Sequence, residues 1–269
     1  MEFGMSETMR DCYDQLAANY HLIFADWNTS IMRQAGIIGP IIENENSGSR
    51  RRLRILDCAC GIGTQALGLA IRGHLVVGCD ISRLAIERAR REASERRINA
   101  EFVVADMRDL SPVWGDGFDA AVCFDNSLPH LESYKQVCQV ASEIRKKLRA
   151  GGLFMASIRD YDQLIREKPV VQGPNFYSDQ GKRRIVHQVW DWIDDRRYTF
   201  HLYITRETST GWESQHYAAT YRALLRSELT SAIENAGFID QRWLLPAETG
   251  FYQPIVIARA GSPSYAVTK

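Results

Sequence analysis

A chain of 269 residues, 45% apolar and 25% charged, suits one large globular domain or a domain with a sizeable insertion. Lys plus Arg number 33 and Asp plus Glu 33, so no basic excess points to nucleic acid or an anionic membrane surface. No 18-residue apolar run offers a transmembrane helix, and no charged start followed by an apolar core offers a secretory signal, so the expected compartment is the cytoplasm.

Tyr13, Leu16, Ala17, Tyr20 and Phe24 recur at helical spacing and predict a helical segment from Met9 to Ile38. These aromatics, with His21, Trp27 and Arg33, suit either core packing or a lid over a ligand. Glu43 to Arg52 is polar, contains Ser-Gly-Ser and reads as a loop. Residues 1–52 are thus expected to form a lid and linker.

Leu53 to Ala70, LRILDCACGIGTQALGLA, reads as a buried strand, a tight glycine turn and a helix starting near Thr64. Gly61 and Gly63 permit the backbone to approach a ligand that a β-carbon would obstruct. The next strand, His74 to Cys79, ends in Asp80, about 20 residues beyond the turn, where an acid can accept both hydroxyls of a ribose. A nucleoside cofactor is the first expectation. Gly61 to Ala66 also satisfies the glycine/alanine form of the dinucleotide fingerprint, so the turn alone leaves the cofactor open.

Parallel strands are expected at His74–Asp80, Ala100–Asp106, Phe118–Asp125 and Leu153–Ile158. Ser82 caps one intervening helix, and another runs from about Ser133 to Arg149 and is ended by Gly151-Gly152. This alternation predicts an α/β fold with an open, doubly wound sheet whose ligands sit at the carboxyl ends of the strands. Asp57, Asp80, Asp106 and Asp125 all fall at such ends. After Arg159 the pattern changes. Arg184–Trp192, Tyr198–Arg206 and Glu213–Tyr221 alternate like strands and predict an antiparallel insertion over residues 161–222. A helix at Ser227–Ala236 and strands at Gln241–Leu245 and Gln253–Ala258 then complete the core of residues 53–160. The cysteines, Cys12, Cys58, Cys60, Cys79, Cys123 and Cys138, read as buried thiols. Cys58-Ala59-Cys60 lacks zinc-knuckle spacing, and neither a disulfide nor a metal is expected.

Taken together, ILDCACGIGT, VGCD, VADMRDL, FDAAVCFDNSLPHL and LRAGGLFMASIRDYD resemble the class I S-adenosylmethionine-dependent methyltransferases, over roughly Arg54 to Arg259. The resemblance implies a Rossmann-like seven-stranded sheet and S-adenosylmethionine as cofactor. Ala59 stands where the family's first motif has a glycine. Within that superfamily the chain is similar to the glycine and glycine/sarcosine N-methyltransferases. Asn126-Ser127 with His130, Arg159-Asp160-Tyr161-Asp162 and Tyr252-Gln253-Pro254 carry this closer likeness. It implies that Arg159 binds a substrate carboxylate and that Tyr252 lines the same pocket, with a further match at Tyr221. Asp125 replaces a glycine of that group and adds a charge near the transfer point.

These readings set the expected site. Asp80 takes the ribose, Asp106 the adenine amino group with Met107 packed on the ring, and Asp57 orders the turn or faces the cofactor ammonium. Ala59, Gly61, Gly63, Ile81, Phe124 and Asp125 complete the cofactor set on the core, and Tyr13, Tyr20, Trp27 and Arg33 complete it from the lid. Tyr20, Asn126, Arg159, Tyr161, Tyr221 and Tyr252 are expected to hold the acceptor. Asn126 and His130 are the candidate catalytic groups, His130 because a histidine pKa lies near working pH. The expected activity is methyl transfer to the nitrogen of a small carboxylate-bearing amine, by an enzyme in which homo-oligomerisation stays open. An O- or C-methyltransferase, an NAD-dependent oxidoreductase and a non-enzymatic binding module are the alternatives.

Overall fold

A computed structural model of the chain describes residues 5–46, 52–179 and 181–262. Five parallel strands, β1 (Arg54–Cys58), β2 (Leu75–Asp80), β3 (Ala100–Val104), β4 (Phe118–Cys123) and β5 (Leu148–Ser157), form the centre of a seven-stranded sheet. The helices α3 (Thr64–Ile71), α4 (Arg83–Glu95) and α5 (Tyr134–Lys147) connect them. Ser82 Oγ accepts from Ala85 N at 3.0 Å and caps α4 as expected. The reversal of strand order lies between β1 and β4, which opens a crevice beyond their carboxyl ends.

The expected N-terminal helical segment is two helices, not one. α1 (Met5–Ala17) ends where Arg88 Nη1 donates to the carbonyls of Ala17 and Ala18 at 2.8 Å each, taking groups that a further helical turn would have used. A 3-10 turn follows at Tyr20–Ile23, and Asp26 then caps α2 (Trp27–Glu45) by accepting from Thr29 N at 2.5 Å. α2 takes in the first residues of the expected Glu43–Arg52 loop, while residues 47–51 lie outside those described. α5 stops at Lys147, earlier than expected. Gly151-Gly152 lie within β5, at the irregularity between the Phe118/Leu148 and Ala120/Leu153 pairings.

After β5 come α6 (Tyr161–Glu167) and a second, antiparallel sheet of four strands, one more than expected. These are β6 (Val171–Asp179), β7 (Lys182–Trp192), β8 (Arg197–Glu207) and β9 (Trp212–Arg222). β6 is an edge strand whose Gly173-Pro174 falls at a register shift, which is why its sequence does not read as a strand. α7 (Arg226–Asn235), β10 (Phe238–Leu244), a single turn α8 (Pro246–Thr249) and β11 (Ile255–Ala260) close the chain. β11 enters the main sheet antiparallel to β5, and the full order is β10-β11-β5-β4-β1-β2-β3.

Apolar residues fill both faces of the main sheet. On one, Ile55, Val76 and Ile257 pack with Ile38, Leu67 and Ile86 of α2, α3 and α4. On the other, Leu56, Phe154 and Val256 pack with Ile144 and Ile233 of α5 and α7. The second core continues into Tyr161, Trp190, Tyr198 and Tyr221, so the antiparallel sheet is fused to the carboxyl end of the parallel one. α1 bridges α4 and β9 across the resulting gap. Among the described residues no helix is long and apolar enough to cross a membrane.

Candidate active site

β1 leads into a turn with unusual backbone angles. Ala59 has φ +61 and Gly61 φ +54, and Gly63 at φ +96 is the N-cap of α3. Ala59 fills a left-handed position that glycine would occupy without the roughly 1 kcal/mol cost of a β-carbon there. A β-carbon built on Gly61 meets no protein atom within 4 Å, and Gly61 lines a narrow cleft of about 80 Å³. The turn therefore presents bare backbone to that cleft.

Asp80 shapes the turn from the end of β2. Its two oxygens accept from Gly61 N at 2.8 Å and Ser82 N at 2.9 Å, and each keeps lone-pair capacity for a donor in the cleft. Burial raises its pKa. Ile81, Asp106 and Met107 line the same cleft, with Tyr13, Tyr20, Ala59 and Asp125. Asp106 is held by the Arg108 fork, with Nη2 at 2.5 Å and Nε at 3.0 Å, so an adenine amino group would share it with Arg108. Asp57 is 1% exposed and stands behind the turn, outside the cleft wall. Burial and then the charges of Asp125 and Asp80 push its pKa well up, and among the described residues its Oδ2 has no partner. A polyhydroxy, amino-bearing nucleoside fits this donor and acceptor set. Asp80 and Asp106 offer acceptors and Gly61 offers room, while Asp57 backs the turn from outside the cleft wall.

The cleft opens into a wider cavity of about 590 Å³, whose wall also includes Tyr13, Tyr20 and Asp125. Asp125, at φ +57, accepts from Gln65 Nε2 at 2.8 Å and from the Tyr252 hydroxyl. Arg33 lies on the same wall, its guanidinium 6.0 Å from the Tyr252 ring centroid. Arg159, just after β5, lies against the rings of Trp190, Tyr221 and Phe200 at 4.6, 5.4 and 5.5 Å. It donates to the Tyr198 hydroxyl at 2.8 Å and weakly to Gln188 at 3.4 Å. Among the described residues no carboxylate comes within 4.0 Å of it.

Several expected site residues stand elsewhere. Asn126 is 2% exposed and both ends of its amide are engaged: Oδ1 accepts from Arg159 N at 3.0 Å and Nδ2 donates to Tyr161 at 2.9 Å. Tyr161 is fully buried, its hydroxyl also 2.9 Å from that of Tyr198. These two residues brace Arg159 from behind and do not line the cavity. Trp27 donates from Nε1 to Thr64 at 2.9 Å and pins α2 to α3, away from the cleft. Phe124 packs against Phe251, and Gly63 turns inward to Leu67 and Phe102. His130 does line the cleft, 2.7 Å from the Tyr13 hydroxyl and 4.1 Å ring to ring from Tyr221. Burial and then the Arg159 charge push its pKa down to about 3, so it is neutral at working pH and a weak base. The aromatic box itself, Trp190, Tyr198 and Phe200, went unassigned in the sequence. Its signal is the alternation of β7 and β8, whose register pairs Trp190 with Phe200 and Trp192 with Tyr198 on the inner face.

Residues 55–152 match the family described as a methyltransferase domain. These residues run from β1 into β5 and are similar to that family. The chain is 31% identical to glycine N-methyltransferase of Mus musculus over 135 residues, 46% of each chain. The matched region is thus about half the length of that relative. A 2-heptyl-1-hydroxyquinolin-4(1H)-one methyltransferase of Mycobacteroides abscessus is 29% identical over 202 residues, 72% of this chain and 78% of that one. In three dimensions, a sugar N-methyltransferase from Streptoalloteichus superposes with a TM-score of 0.74 at 15% identity, covering 90% of this chain and 93% of that one. An S-adenosylmethionine-dependent methyltransferase from Clostridium acetobutylicum gives 0.71 at 16%, covering 93% and 100%. The class I methyltransferase fold is evident in the sheet order of the chain. β11 is inserted antiparallel between β5 and β10, whereas a dinucleotide-binding sheet continues its parallel order, which removes the support for an NAD-dependent oxidoreductase.

Proposed function

We propose that the chain is an S-adenosylmethionine-dependent methyltransferase acting on the nitrogen of a small amine that also bears a carboxylate. The observation that carries the acceptor is Arg159, a guanidinium boxed by three aromatic rings, facing a cavity and without a carboxylate partner among the described residues. An arginine so placed offers a planar fork to a carboxylate.

When bound, the cofactor supplies an electrophilic sulfonium methyl group. Asp80 and Asp106 would hold its ribose and adenine, Gly61 would give it backbone room, and Tyr20, with Arg33 on the cavity wall beyond, would hold its amino-acid end. The chain's own work is then positioning, which can supply on the order of 7–11 kcal/mol without a nucleophilic residue. Arg159 orients the acceptor. Asp125, on the wall of both cleft and cavity, offers its carboxylate to the acceptor's ammonium or to the proton that the amine must lose. Tyr13 and Tyr20 cover the junction and exclude water. The long match to a methyltransferase named for a hydroxyquinolone favours a second reading, transfer to an oxygen or carbon of another small metabolite.

The experiment is incubation of the protein with methyl-labelled cofactor and a metabolite extract, read by mass spectrometry. Label on the nitrogen of a carboxylate-bearing amine is expected. Label only on oxygen or carbon would select the second reading, and no label with any acceptor would leave a binding protein.

A further inference from the structure

We infer that the acceptor is an amino acid with a bulky apolar side chain, not glycine or sarcosine. The inference rests on the carboxylate-bearing amine proposed above. Glycine offers only a carboxylate and an amine. The cavity that faces Arg159 has about 590 Å³, within the range that takes drug-sized ligands. Its floor is the inner face of the antiparallel sheet. The residues of β7 on that face are Trp190, Gln188 and Val186, paired in register with Phe200, Leu202 and Ile204 of β8. At about 3.4 Å per residue, the lining part of β7 runs roughly 7 Å from Gln188 to Val186.

Arg159, Asp125 and Tyr20 stand at one end of that length, and Gln172 and Asn175 of β6, paired with Gln188 and Val186, edge the floor along the rest. Tyr20 senses Asp125 and Arg159 together, the acid raising its pKa and the arginine lowering it after the larger effect of burial. Tyr20, Asp125 and Arg159 line the same cavity, so a carboxylate on Arg159 and an amine toward Asp125 would meet around Tyr20. Beyond them, Phe200, Leu202 and Val186 form the floor and Ile23 and Phe24 of the lid face the same space. Val186 and Leu202 are already buried, so an acceptor without an apolar body would leave Ile23, Phe24 and Phe200 as the wet surfaces. One with a leucine-, phenylalanine- or tryptophan-sized body would remove them from water, and that burial favours the larger acid. Phe24 and Phe200 make the two aromatic contacts and set the selectivity.

Turnover of methyl-labelled cofactor with glycine, sarcosine, leucine, phenylalanine and tryptophan, each at several concentrations, tests this. At least one bulky acid should exceed glycine tenfold in kcat/KM. Phe24→Ala, on the partly exposed lid, should raise KM for that acid several-fold and change the glycine value less. Glycine or sarcosine equal to or better than every bulky acid overturns the inference and leaves the carboxylate-bearing amine in place. No turnover with any of the five, while calorimetry reports cofactor binding, overturns the amino-acid inference; loss of all response to carboxylate-bearing amines in the extract experiment would remove the underlying reading as well.

Discussion

The Tyr13 hydroxyl stands 2.7 Å from His130 Nε2 and 3.2 Å from the Tyr221 hydroxyl, joining the lid helix to the loop after β4 and to the antiparallel sheet. One side chain thus ties together the three parts of the molecule that enclose the cavity. Tyr13→Phe removes both hydrogen bonds and keeps the packing. A lid held less firmly should cost about 0.5–1.5 kcal/mol, a reduction of up to about tenfold in kcat/KM. Steady-state kinetics with the identified acceptor check it, and unchanged kinetics would make the contact irrelevant to closure.

Arg159→Lys keeps the charge but loses the fork and its stacking on Trp190. It should lower kcat/KM at least about tenfold, roughly 1.4 kcal/mol, with cofactor affinity unchanged. Kinetics paired with cofactor titration separate the two, and equal efficiency in Arg159→Ala would remove the carboxylate from the acceptor.

Asp80→Asn retains the carbonyl that can accept from Gly61 N but loses the charge toward the ribose. Cofactor and its demethylated product should each bind about 1.5–3 kcal/mol more weakly by calorimetry. Normal binding would move the ribose elsewhere.

Asp57 is a buried acid whose folded-state pKa is raised from about 3.8, burial being the largest cause. The unfolded chain releases this proton first, so the group's contribution falls as pH rises through that window and is unfavourable near neutrality. Asp57→Asn should therefore raise the melting temperature of the ligand-free protein at pH 7.5, by about 2–4 °C if the gain is about 1 kcal/mol. A lower melting temperature would show that the carboxylate is compensated.

His130 has the opposite sign. Its pKa falls from 6.5 unfolded to about 3 folded, so the unfolded chain takes up the proton first as pH falls. Stability from this group is present above about pH 6.5 and declines below it at about 1.4 kcal/mol per pH unit. Between pH 7 and pH 5 the wild type should lose about 2 kcal/mol more than His130→Gln in urea unfolding. Equal losses would mean that the imidazole is solvated.

The sequence alone determined the alternating core and the cofactor end of the site. Glycines at 61 and 63 and acids after successive strands are local signals, because turn geometry and strand ends are set by near neighbours in the chain. Ala59, Gly61, Asp80, Ile81, Asp106, Met107 and Asp125 accordingly line one cleft. At the acceptor end, Arg159, Tyr221 and Tyr252 were legible as residue types and do line the cavity. Only the tertiary structure decided which neighbours share it. Asn126 and Tyr161 turned inward because their polar atoms find one another behind Arg159, and Trp27 because Thr64 lies 2.9 Å from its indole nitrogen. The aromatic box depends on the register of β7 with β8 and on that sheet's seat over the carboxyl end of the first. A one-residue slip in pairing would send Trp190 and Phe200 to the opposite face, and the periodicity of either strand reads the same in both cases.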